Sequence, residues 1–234
     1  MYKAILFDLD GTLLPMDAEQ FLKEYLELLS LYASRFMGQD IFIPKLMNST
    51  YQMISNLDAD KTNKEVFVQA FFADSDLDPQ LIMSQFDEFY ETQFPKLASS
   101  FPPDPVVPKV IEKALEKHIG VVATNPIFPI IAIEERLKWA GIKEQPFSLI
   151  TSYENMHFCK PQIHYYLEIL EKIGVEAKEC LMVGNDIEED LIAKVVGMDT
   201  FLVDTHMINR QNSSYETDYQ GSMEDLLNLL MELG

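Results

Sequence analysis

Short β-rich apolar runs that each stop at a polar cluster set the tightest limit on how this chain folds. They cover residues 3–7 before Asp8, 119–123 before Thr124, 147–150, 180–183 before Gly184, and 200–203 before Asp204. Unbroken apolar strands suit a sheet covered on both faces, and such sheets are parallel. Helical spacing over residues 130–139, 161–173 and 188–196 separates the later runs, with Gly141 and Gly197 as stop signals after the first and last. Strands alternating with helices predict an α/β fold built on a doubly wound parallel sheet. Ligands of such sheets sit at the carboxyl ends of the strands.

The alternation fails between the first run and the second. Residues 16–98 carry helix signals and no clear strand: Thr62 with Glu65 reads as a capping box, and Asp78 before Pro79 as an N-cap with proline at the first helical position. Phe67, Phe71, Phe72, Phe86, Phe89 and Tyr90 are expected to form the apolar seam of a small helical bundle. The proline-rich stretch 101–105 reads as a stiff return linker. At 234 residues the chain exceeds one domain of about 150 residues. The expected division is therefore an α/β core from 1–15 and 99–234, with a smaller helical domain at 16–98 inserted into it.

Composition narrows the partners. Apolar residues make up 47% of the chain and charged residues 24%, an ordinary globular balance. The net charge of −20 is spread along the chain and repels phosphate backbones and anionic lipid surfaces, so nucleic acid and membrane partners are not expected. Cys159 and Cys180 show no paired spacing, which argues against a disulfide framework and for a reducing, cytoplasmic setting. His157 and Cys159 find no third ligand at zinc spacing. The N-terminal apolar run is broken by Asp8, far short of a signal-peptide core or a membrane span.

Chemistry-bearing residues gather where the predicted strands end. Asp8 and Asp10, followed by Gly11 and Thr12, close the first; two carboxylates this close repel unless a cation joins them. Thr124 and Asn125 close the second and offer a hydroxyl, an amide and backbone N–H groups to phosphoryl oxygens. Lys160 precedes Pro161, the expected first residue of a helix. Gly184, Asn185, Asp186 and Asp190 close the fourth. Singly, each group also suits a turn, a solvated charge or a helix cap. Together, after successive strands of one sheet, they describe an anion and metal site.

In order and spacing these residues resemble the haloacid dehalogenase-like hydrolase superfamily, whose first motif matches residues 7–14, second Thr124-Asn125, third Lys160-Pro161 and fourth residues 184–190. The resemblance implies a Rossmann-like core with a helical cap, and a phosphatase using Mg2+ on a small phosphorylated metabolite. Asp8 would then be the nucleophile, with Asp10 the general acid and base oriented by Thr12. Thr124, Asn125 and Lys160 would bind the phosphate. The metal would take an Asp8 oxygen, the Asp10 backbone carbonyl and Asp186, supported by Asn185 and Asp190. Asn185 departs from the family pattern, which often places Asp there. Asp10 favours phosphoester chemistry, because the family's dehalogenases and phosphonatases lack it.

Two other readings remain open at this stage: a phosphosugar mutase on the same scaffold, and a non-hydrolytic phosphoryl-receiver regulator. Arg35, the inserted region's only arginine, suits either a surface position or a second anionic group of the substrate. The identity of the substrate and the oligomeric state are not legible. The acidity of the chain also sets a problem, because an anionic substrate must enter a pocket already holding Asp8, Asp10, Asp186 and Asp190. Magnesium and Lys160 are the cations expected to reverse that field.

Overall fold

The computed structural model describes residues 2–233. Its chain runs β1 (Ala4–Phe7), α1 (Ala18–Ala33), α2 (Gln39–Ile54), α3 (Asn63–Phe72), α4 (Pro79–Thr92), a 3-10 turn (Phe94–Ser100), α5 (Val107–Leu115), β2 (Ile119–Val122) and α6 (Ile130–Trp139). It continues through β3 (Leu149–Ile150), α7 (Ile163–Ile173), β4 (Cys180–Gly184), a 3-10 segment (Leu191–Val196), β5 (Asp199–Val203), β6 (Tyr219–Gly221) and α8 (Met223–Leu233). The sheet is parallel throughout, in the order β3-β2-β1-β4-β5-β6. Phe7 pairs with Val122 on one side and Val183 on the other, so β1, β2 and β4 end at one level. After β1 the chain builds one half of the sheet, then returns to build the other from β4. That reversal is the topological switch point, where a crevice opens.

Side chains alternate along the strands, and both faces are covered. Ile5 and Phe7 of β1 join a cluster with Val110 and Ile111 of α5, Ile133 and Leu137 of α6, and Leu226 and Leu230 of α8. Ala4 and Leu6 face the other way, toward Tyr165, Tyr166 and Ile169 of α7. The doubly wound α/β expectation therefore holds.

Between β1 and β2 stand α1–α4 and their 3-10 turn, a helical insertion without a strand. Both anticipated caps form: Thr62 and Glu65 exchange side-chain and backbone bonds, and Asp78 accepts from the backbone of Gln80 and Leu81. Phe67, Phe71, Phe86, Phe89 and Tyr90 are buried in the seam, with Phe72 half-buried against it. Its rings meet mostly edge to face, as Phe71 does with Phe42, Phe72 and Phe86.

Two helix boundaries differ from expectation. Pro161 does not open α7; Gln162 is the N-cap and the helix starts at Ile163. The segment after Asp186 is 3-10 from Leu191 to Val196 in place of the helix expected over 188–196, with the Asp190 side chain bonded to Lys160 and to the Asp186 N–H. The short strand β6 adds an edge that the apolar pattern does not reveal.

Candidate active site

The carboxyl ends of β1, β2 and β4 meet in a cavity of about 330 Å³, lined by Asp8, Asp10, Thr124, Asn125, Asn185, Asp186, Glu189 and Asp190. Asp8 follows directly from β1, and its backbone N–H donates to the Val183 carbonyl, which locks its position to β4. The next residues fold back sharply. Gly11 has a φ of 85°, and a side chain there would collide with the Asn185 amide. A side chain at Gly184 would likewise meet the Asp190 carboxylate. Glycine at these two positions lets the β1 and β4 loops close around one point.

Lys160 is the charge that organises this point. It is buried, and its ammonium donates to Asp8 Oδ1 at 2.8 Å and to Asp190 Oδ1 at 2.6 Å. Burial opposes its charge, but Asp190 and Asp8 outweigh that cost and hold its pKa well above the ordinary value. Asp190 is raised by burial while Lys160 pulls it down. Its second oxygen accepts from the Asp186 N–H at 2.9 Å, so Asp190 ties the lysine to the β4 loop.

The other expected residues all fall in or beside the cavity, with local differences. Thr12 does not orient Asp10. Its hydroxyl donates to Asn185 Oδ1 at 2.9 Å and lies 3.4 Å from Asp8 Oδ2. Asn185 in turn donates to the His206 carbonyl, so its amide fastens loops together in place of a further acid. Thr124 is buried on the cavity wall, and its carbonyl accepts from Thr151 and Tyr165. Asn125 donates to Glu189 at 3.1 Å. Asp186 accepts from the backbone N–H of Glu188 and Glu189, each at 3.0 Å. Burial raises its pKa, against the Glu189 N–H and Arg210.

Two arginines belong to the site and were not anticipated. Arg136, on α6, is fully buried and ion-paired with Asp10; its guanidinium lies 4.5 Å from the centre of the Phe128 ring. Asp10 is raised by burial and lowered by Arg136. Arg136 shares the buried stripe of its helix with Ala132, Ile133 and Leu137, and a charge on an apolar stripe was the available signal. Arg210, in the loop after β5, reaches Asp186 at 2.5 Å and lies 3.8 Å from both Glu188 and Glu189. No periodic pattern marks it. Arg35 takes its surface alternative, half-exposed over the Tyr32 ring and 3.9 Å from Glu88. His157 is bonded to Glu168 and belongs to no metal cluster among the described residues.

The donors suit a hard cation that is held partly by its substrate. Among the described residues no three His, Cys, Asp or Glu side chains form a metal cage. Magnesium, however, commonly binds through one or two carboxylates with phosphate oxygens and water completing the shell. Asp8 and Asp186 supply two carboxylates on one cavity, while Asp10 Oδ1 and Asn125 Oδ1 are buried oxygens without a partner.

The parallel sheet brings acids, a lysine and a hydroxyl together at its switch point, where ligands of doubly wound α/β folds sit. The family model of the haloacid dehalogenase-like hydrolases matches residues 2–195, and the chain belongs to that family. It is 25% identical over 229 residues to the pyrophosphatase PpaX of Bacillus velezensis, covering 97% of this chain and 95% of that one. It is likewise 25% identical over 224 residues to the glyceraldehyde 3-phosphate phosphatase of Methanothermobacter thermautotrophicus, covering 92% of both. Among solved structures, a HAD phosphatase from Thermococcus onnurineus superposes with a TM-score of 0.59 at 21% identity, covering 97% of each chain. An L-2-haloacid dehalogenase from Xanthobacter autotrophicus superposes equally, with a TM-score of 0.59 at 14% identity and 100% coverage of each chain. The scaffold thus serves more than one chemistry. Among the described residues, no helix is long and apolar enough to cross a membrane.

Proposed function

We propose that this protein is a magnesium-dependent phosphatase that hydrolyses a small phosphomonoester through an aspartyl-phosphate on Asp8. The observation that carries the reading is the Asp8–Lys160–Asp190 ion triad at the switch point, with Asp8, Asp190 and the neighbouring Asp10 lining one cavity and Lys160 buried behind them. Relatives named as phosphatases over nearly the whole chain support the same class.

An ionised carboxylate attacks phosphorus without needing a separate base, provided that repulsion between two anions is offset. Lys160 fixes Asp8 by one oxygen at 2.8 Å, which leaves the other to act as nucleophile. Bond formation from Asp8 to phosphorus expels the alcohol oxygen, and Asp10 gives that oxygen its proton. The burial that raises the Asp10 pKa suits it to carry a proton. Water then adds to the phosphoryl group, Asp10 takes a proton back, and inorganic phosphate and free Asp8 result. Thr124 and Asn125 hold phosphoryl oxygens during both steps. Magnesium would be held by Asp8, Asp186 and the Asp10 carbonyl, and when bound would neutralise charge on the transferring group. Arg136 acts through Asp10, pairing with its Oδ2 and so fixing the carboxyl beside Asp8.

The helical insertion is the cap of this active site and, with residues 16–98 as its bounds, a domain distinct from the 1–15 and 99–234 core. Met16, Ala18, Phe21 and Leu22 from the insertion and its approach already line the cavity. A lid of this size fits small substrates and excludes bulk water from the acyl phosphate. Phosphate release from an aryl phosphate, with and without magnesium, tests the reading. Metal-dependent release that disappears in Asp8→Asn is the expected result; full activity in chelator, or in that variant, overturns it.

A further inference from the structure

A second cavity adjoins the catalytic one. It measures about 260 Å³ and is enclosed by α1, α2, α3 and α4 together with the loops that follow β2 and β3. Leu22, Ile127 and Phe128 line both cavities and form the boundary between them. The two could hardly differ more in chemistry. The catalytic cavity is lined by five carboxylates and Arg210, whereas no lining residue of the second is charged.

Of the four hydroxyl-bearing residues in the lining, Tyr25, Thr50, Tyr90 and Tyr153, three have their hydroxyls bonded within the protein. Tyr25 and Tyr90 bond to each other at 2.7 Å, and Thr50 donates to the Leu46 carbonyl at 2.9 Å. A sugar or glycerol placed there would bury hydroxyl groups with few partners, each costing roughly tenfold or more in affinity. A second phosphate group would meet no cation in the lining. An apolar ligand meets neither cost. A cavity of about 150 Å³ lined by Leu, Ile and Phe is large enough for benzene, so this one admits a ring with substituents or a short alkyl chain.

We infer that the second cavity is the subsite for the alcohol portion of the substrate, and that this alcohol is an uncharged apolar group, aromatic or aliphatic. This rests on the phosphatase reading, since it identifies the group whose phosphate reaches Asp8. The apolar portion sits among Leu46, Phe67, Met83 and Phe86, passes Leu22 and Phe128, and presents its phosphate to Asp8 and Lys160. Free apolar alcohol and inorganic phosphate are the products, with the water oxygen ending in phosphate.

Unreactive alkylphosphonates test the subsite separately from turnover. With magnesium present, calorimetry should show affinity rising about threefold to fourfold per methylene from methyl- through propyl- to hexylphosphonate. In Thr50→Trp, which fills the cavity, the ratio of hexyl to methyl affinity should collapse toward one; Met83→Trp serves the same purpose should the first variant not fold. A flat series in the unaltered protein, or a ratio unmoved by both fillings, overturns the inference. Turnover separates the two claims. Release of phosphate from glycerol phosphate and glucose phosphate at rates equal to hexyl phosphate, with a flat phosphonate series, removes the apolar specificity and leaves the phosphatase. A steep series with no hydrolysis of any ester removes the phosphatase and leaves the apolar subsite.

Discussion

In the helical insertion, the largest buried side chains are neutral. Phe42, Phe71 and Phe89 are wholly excluded from solvent, and the Tyr25 and Tyr90 hydroxyls bond to each other. At the carboxyl ends of the sheet, the buried groups are charged: Asp8, Lys160, Asp186, Asp190 and, one helix away, Arg136. The insertion gains stability from each group it buries, at about 1.5–3 kcal/mol per large apolar side chain. The sheet edge spends stability, because acids crowded together are held only by the cations between them. The contrast teaches where change can be tolerated. Substitution in the insertion should act on folding, and substitution at the sheet edge on chemistry.

Asp8→Asn should break the comparison most sharply, lowering kcat by about 10⁴-fold or more. Thermal unfolding of that variant should show a melting temperature no lower than the parent, since it relieves like-charge repulsion; a large loss of stability would mean that Asp8 is structural. Asp10→Asn should cost about 10²- to 10⁴-fold in kcat, read from steady-state kinetics. Phe89→Ala belongs to the opposite class. It should lose about 3–5 kcal/mol in denaturant unfolding, while folded enzyme at low temperature keeps its turnover of an aryl phosphate.

Arg136→Met probes the boundary, because it keeps the buried volume of α6 and removes the ion pair to Asp10. Its kcat should fall by about 10- to 100-fold with little change in KM, as for a displaced proton carrier. The smallest effect concerns pH. Burial pushes Tyr25 in the insertion and the Cys180 thiol in β4 up to about 12 each. Their unfolded values lie near about 10 and about 8.5, so the unfolded chain releases these protons first. Stability should therefore be full below about pH 8.5 and decline as pH rises toward 12, visible as melting temperatures a few degrees lower at pH 10 than at pH 8.

Local rules carried much of this architecture into view. The bounds of α6, the Thr62–Glu65 box and the Asp78 cap follow from residues within a few positions of each other, and all three stand in the structure. The acids, Thr124 and Asn125 proposed for the site could be located from the sequence, because they follow the ends of parallel strands and so come together at one edge of the sheet. What escaped is non-local. Arg136 finds Asp10 from 126 positions away, and Arg210 finds Asp186 from a loop with no periodicity. The segment after β4 is 3-10 where a helix was expected, and its Asp190 bonds to Lys160 from 30 positions away. Beside magnesium and Lys160, the cations expected to counter the acids of the pocket, the structure adds two more, Arg136 paired with Asp10 and Arg210 paired with Asp186.

The central claim is that the Asp8 carboxylate itself receives the phosphoryl group. Acid quenching during turnover of an aryl phosphate, followed by mass spectrometry of the peptide that contains residues 4–14, reads this directly. The account predicts one phosphoryl group on Asp8, labile to hydroxylamine and absent from Asp8→Asn. Sustained phosphate release with that peptide unmodified at every quench time, and with Asp8→Asn still active, would contradict it.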